Sequence, residues 1–175
     1  MVAYAYAAQF SAEVEKLVVM DAFLRVFRDG SSRITTTICG TFGFTVQPRR
    51  RSSKDGKKPI SAYFWNDLAA DKRRSLSTAD RNAYVAAYSR PGRMRAGWAY
   101  FAAWPDTAND FAQMAKTKLP MPVLSIVVEK ASAAILVPQM KLVATNVTAV
   151  DLKDTGHWLM EERPQETMEA LIAFL

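Results

Sequence analysis

The short apolar run Leu17-Val18-Val19-Met20 carries no polar alternation, and strand chemistry returns at Val123-Leu124-Ser125-Ile126-Val127-Val128. A strand solvated on one face alternates polar and apolar residues. A strand buried on both faces reads as an unbroken apolar run, which is the habit of parallel sheets. A third strand is predicted over Val147-Thr148-Ala149-Val150-Asp151-Leu152, and helical spacing fills the stretches between the three runs. Strands alternating with helices imply the α/β class, with a parallel sheet and flanking helices. The first run closes on a carboxylate, Asp21, as strands do when their carboxyl ends face a site.

The helical segments carry their own signals. Val2, Tyr6, Phe10 and Val14 recur four apart among alanines, predicting a helix over 2–14 whose small-residue surface implies near-complete burial. Ser77-Thr78-Ala79-Asp80 offers a capping box for a helix through Tyr84, Ala87 and Tyr88, which Pro91-Gly92 ends. Further helices are predicted over about 93–104 and 107–116, and again through Met140 and Val143. Pro120 and Pro122 bracket the return to strand chemistry. A closing helix starts near Pro164, where Glu161, Glu162 and Glu166 suit the positive end of its dipole.

With 175 residues, half of them apolar, the chain can build one ordinary domain. No apolar run reaches the roughly 18–20 residues of a membrane helix, and the first residues lack the basic start of a signal peptide, so a cytoplasmic protein with no membrane partner is expected. A single cysteine, Cys39, excludes internal disulfides and cysteine-based zinc sites. No cofactor and no metal are expected. The net charge of +6 is concentrated: residues 25–61 hold nine Lys or Arg against two Asp, and the rest of the chain is nearly neutral. Within that segment, Arg49-Arg50-Arg51 through Lys57-Lys58 has no interleaved aromatic residue to stack a base. It reads as an irregular, disordered charge run, and no nucleic acid partner is expected.

His157 is the only histidine, set in Asp154-Thr155-Gly156-His157-Trp158 between the third strand and the last helix. A lone imidazole in such a loop is where a general base sits.

The order of strand 16–21, helical block 62–118, strand 123–128, strand 147–152, then Gly-His-Trp and a terminal helix resembles part of an α/β-hydrolase. The likeness is to the branch of epoxide hydrolases and haloalkane or haloacid dehalogenases. MVAYAYAAQF, EVEKLVVMDAF, RPGRMRAGWAYFAAWP, MPVLSIVVEK and VTAVDLKDTGHWLMEERPQETMEALIAFL carry it, the stretch from Asp154 to Pro164 being the most specific. The resemblance divides the chain into a core helix and strand at 1–24, the basic segment at 25–61, a helical cap remnant at 62–118 and a core with the histidine loop at 119–175. It implies a small-molecule substrate, an epoxide or an organohalide. In that family an aspartate forms an ester with substrate and a histidine activates water to hydrolyse it, so the resemblance makes His157 the base. It also implies that the nucleophile lies ahead of Met1, leaving a truncated chain without activity of its own. The segment 25–61 departs from the family. Its codons, read one base out of phase, permit family-like stretches such as Gly-Trp-Glu and Trp-His-Phe-Arg-Phe. A shifted reading frame restored near Ser61 is the expectation, excluded if the gene carries no compensating insertions or deletions.

Two carboxylates compete to orient the imidazole. Asp21 ends the first strand, where some dehalogenases of this type carry the acid. Glu129 follows Val123–Val128, where epoxide hydrolases commonly carry it, and its longer matching stretch makes it the slight preference. Tyr100, in Gly97-Trp98-Ala99-Tyr100-Phe101, falls near the family's cap tyrosine, a hydrogen-bond donor to the opening oxygen.

Overall fold

The computed structural model describes residues 2–24, 65–66, 68–73, 75–129 and 133–175. The basic segment and the expected frame shift fall outside the described residues.

Three parallel strands form one sheet in the order β1 (Leu17–Met20), β2 (Leu119–Val128) and β3 (Ala144–Leu152). Met20 pairs with Ile126, and Ile126 with Val150, so the carboxyl ends of all three strands gather at one edge. From Val123 to Val128 β2 is buried on both faces, its more exposed positions lying before that run. The two-sided burial expected of the first run is corrected: β1 ends the described sheet and leaves Val18 half-buried and Met20 38% exposed. Val123 and Val127 join one cluster with Tyr4, Phe111, Leu136 and Met140, while Leu124, Ile126 and Val128 join another with Leu152 and Leu159. Each buried Val, Leu or Ile side chain contributes roughly 1.5–3 kcal/mol.

The first cluster is closed by α1 (Val2–Gln9), α4 (Trp104–Met114) and α5 (Ala133–Val143). The second is closed by α7 (Pro164–Phe174). Between β1 and β2 lie α2 (Thr78–Ser89) and α3 (Arg93–Ala102). The capping box is formed: Ser77 accepts from the Asp80 amide, and the Asp80 side chain accepts from the Ser77 amide. The helix predicted from 107 begins at Trp104, with Pro105 in its first turn. β2 begins at Leu119, and the shift in its pairing between Leu119 and Pro122 accommodates prolines that cannot donate to a ladder.

The burial expected of the first helix is corrected. Helix α1 stops at Gln9, a 3₁₀ turn follows over Ser11–Glu13, and α1 buries Tyr4 and Ala7. Val2 is 65% exposed, and Tyr6 and Phe10 are each 47% exposed. The packed face is the one that sets Tyr4 edge-on to Phe111, with ring centroids 5.0 Å apart. The Val2–Tyr6–Phe10 stripe lies off that face, and Tyr6 instead hydrogen-bonds Glu13 at 2.5 Å.

Candidate functional site

Asp21 and Glu129 each follow the last residue of a strand, and each amide continues the ladder. The Asp21 N–H donates to Ile126 O at 3.0 Å, and the Glu129 N–H to Leu152 O at 3.3 Å. There the two diverge. Asp21 takes φ of +38°, a left-handed conformation that Asp tolerates better than most residues. Its side chain is only 4% exposed. One carboxylate oxygen, Oδ2, lies 2.5 Å from His157 Nδ1, while Oδ1 is buried without a partner among the described residues. A buried carboxylate that meets one imidazole nitrogen favours the tautomer with a proton on that nitrogen. The other ring nitrogen, Nε2, then carries the lone pair. The His157 side chain is 42% exposed, so the ring is held at one end and open to solvent over part of its surface. The Trp158 ring stands edge-on to it at 5.4 Å.

The preference for Glu129 as the neighbour of the imidazole is not matched by the geometry. Glu129 accepts the N–H of Asp154 at 3.2 Å and so holds the start of the histidine loop rather than the ring. Asp154 is itself at φ of +47°, which turns the chain away from β3. Tyr100 is 62% exposed on α3 and makes no hydrogen bond or ring contact with His157 or Asp21 among the described residues.

The histidine loop is anchored by groups that the sequence reading did not single out for this purpose. The His157 N–H donates to Leu68 O at 2.8 Å. Glu162 Oε2 accepts from the Gly156 N–H at 3.0 Å and from the Ala70 N–H at 3.1 Å. Glu161 and Glu162, read as acids at the start of the last helix, belong to a separate short helix, α6 (Leu159–Glu162). Arg163, at φ of −139°, breaks the chain before α7, whose first turn contains Glu166. Gly156 is required by closeness: a Cβ there would lie 2.4 Å from both Ala70 N and Leu68 O. The Gly-His pair therefore signals a backbone contact as well as an imidazole.

Among the described residues no group of three or more His, Cys, Asp or Glu is arranged to hold a metal, and no helix is long and apolar enough to cross a membrane.

No protein-family model and no curated protein matches the chain. Solved structures do. The chain is similar to Cfl2 from Burkholderia cenocepacia, with a TM-score of 0.80 and 26% identity over 99% of this chain and 62% of that one. It is similar to the epoxide hydrolase CorEH, with a TM-score of 0.79 and 23% identity over 99% of this chain and 63% of that one. A third match is the Cif epoxide hydrolase from Acinetobacter nosocomialis, with a TM-score of 0.77 and 21% identity over 98% of this chain and 57% of that one. The chain thus spans about three-fifths of the length of these structures.

Proposed function

Since this chain carries part of the α/β-hydrolase fold, as epoxide hydrolases do, we propose that it supplies the base half of a hydrolase that opens epoxides through an enzyme-bound ester. The observation that carries this reading is the 2.5 Å contact between Asp21 and His157 at the carboxyl ends of the parallel strands. In open α/β sheets, ligands bind outside those ends.

The chemistry runs in two steps. A carboxylate attacks an epoxide carbon, the carbon–oxygen bond opens, and the ring oxygen leaves as an alkoxide that takes up a proton. Water then attacks the ester carbonyl while His157 Nε2 accepts its proton, and collapse of the tetrahedral intermediate releases the diol and restores the carboxylate. Asp21 holds the Nδ1 proton and stabilises the imidazolium that forms. In this reading the attacking carboxylate comes from the part of the α/β-hydrolase fold that the chain does not span. Tyr100 is the proposed donor to the alkoxide, once the helical segment closes over substrate.

A second reading, carbon–halogen hydrolysis, is favoured by the place of the acid, because Asp21 stands where some dehalogenases of this type carry theirs. Both readings share the ester, and its mass separates them. In the complete gene product His157→Gln blocks the second step, so the ester accumulates. An epoxide adds its full mass to the protein, whereas a haloacid adds its mass less that of hydrogen halide. Intact-mass measurement after a single turnover reads the difference. An unmodified protein whose turnover is unaffected by His157→Gln would overturn both readings.

A further inference from the structure

The geometry points to Glu162 as a positioning residue that locks the loop bearing His157 onto the segment Leu68–Ala70. The inference rests on the reading of His157 as a base only in calling the resulting placement catalytic. Its geometric content is independent of that reading.

The contact is narrow and consists almost entirely of backbone. The His157 N–H meets Leu68 O at 2.8 Å. With no Cβ on Gly156, the two chains approach to a distance at which a methyl group would strike Leu68 O, Ala69 C and Ala70 N. Close approach alone would leave the amides of Gly156 and Ala70 facing each other's chain, where neither finds a backbone carbonyl. The Glu162 carboxylate resolves this by accepting both: Oε2 takes the two N–H groups at 3.0 and 3.1 Å, and Oε1 lies 3.3 Å from the Ala70 nitrogen. Two donors sharing one anionic oxygen form charge-assisted bonds, which are stronger than neutral ones.

The neighbouring acid faces the same segment: burial, together with the charges of Glu161 and Asp80, pushes the Tyr84 hydroxyl on α2 above its ordinary value. Glu162 is the acid on α6 that holds the segment between β1 and β2, at Ala70. Helix α6 begins two residues after His157, so a displacement of Leu68–Ala70 is carried to the imidazole through Gly156 without any intervening flexible link.

Amide hydrogen exchange and imidazole NMR on the full chain test the assignment. Glu162→Ala is expected to accelerate exchange at Gly156 and Ala70 together by about tenfold or more, as befits hydrogen bonds to a charged group, while the amides of Val123–Val128 keep their protection. The His157 imidazole signals are expected to move toward those of Asp21→Asn, because a loosened loop no longer presents Nδ1 to Asp21. Glu162→Gln keeps a carbonyl acceptor but loses the charge, so it is expected to give a smaller yet measurable acceleration at both amides; that acceleration decides the matter if the alanine variant does not fold. Unchanged exchange at Gly156 and Ala70, or unchanged imidazole signals in both variants, would overturn the proposal. The imidazole signals moving in a complete gene product that hydrolyses neither epoxides nor haloacids would support Glu162's role while sinking the hydrolase reading.

Discussion

Asp21 and His157 stand 136 positions apart in the chain and 2.5 Å apart in space. The contact joins the end of β1 to the loop after β3, although β2, followed by Glu129, lies between those two strands in the sheet. A long-range contact between a buried carboxylate and a half-exposed imidazole is expected to matter for chemistry more than for stability. The carboxylate fixes a tautomer, and the solvent-facing ring adds little to packing.

Under the proposed hydrolase reading, Asp21→Asn in an active protein that contains this chain is expected to lower kcat by roughly three to four orders of magnitude, the scale seen when an orienting aspartate becomes an amide. Glu129→Gln keeps an acceptor for the Asp154 amide and is expected to cost roughly tenfold or less, a single hydrogen bond's worth. Steady-state rates of the two variants, measured side by side, check the assignment. A larger loss in the Glu129 variant would favour Glu129 as the acid over the proposed Asp21.

Gly156→Ala tests the tight approach of the histidine loop. The added methyl meets backbone atoms at 2.4 Å rather than the flexible end of a side chain, so the 68–70 segment must move as a body. A destabilisation of about 1–3 kcal/mol is expected from overpacking of this kind, read as a lowered midpoint in chemical denaturation. An unchanged midpoint would mean that the two segments do not pack as closely in solution.

Ser77→Ala removes one arm of a capping box in which both hydrogen bonds are made. Loss of the cap is expected to cost about 1 kcal/mol. No residue of α2 is fully buried, so little packing compensates, and hydrogen exchange at the first turn of α2 should quicken before that of the sheet. Uniform quickening across the chain would argue against a local cap.

What could be read from the chain and what could not divide along a physical line. The run Val123–Val128 was legible because burial on both faces of a parallel sheet leaves little room for polar alternation, whereas β1 and β3 read as strands although each keeps exposed positions. The cap of α2 was legible because its partners lie three residues apart. The buried face of α1 was not: the four-residue spacing of Val2, Tyr6 and Phe10 describes one helix face as well as Tyr4 and Ala7 describe another, and only the position of Phe111 decides between them. The choice between Asp21 and Glu129 was equally closed to sequence. Both end apolar strands, and what separates them is a left-handed backbone at Asp21 and a distant amide that occupies Glu129. Glu162 was visible only as an acid near a helix start, because one of its donors lies 92 residues away.

Tyr4 provides a prediction that depends on pH. Its ring is buried against Phe111, and its hydroxyl has no hydrogen-bond partner among the described residues. An unpaired buried hydroxyl carries a desolvation cost of about 1–3 kcal/mol, so Tyr4→Phe is expected to leave the protein at least as stable near neutral pH. Burial disfavours the phenolate and raises the hydroxyl above its ordinary value of 10.0. In the unfolded chain Tyr4 releases its proton near that ordinary value, while the folded chain still holds it. Above that point the folded state binds more protons than the unfolded one, so stability contributed by the neutral phenol is intact below pH 10 and is lost as pH rises through the folded value. Tyr6 and Tyr84 are shifted the same way and contribute to the same decline. Denaturation midpoints between pH 8 and 11 should therefore fall less steeply for Tyr4→Phe than for the parent chain. Parallel curves, or a variant that is less stable near neutral pH, would show that the hydroxyl has a partner in solution and that its burial is not the source of the shift.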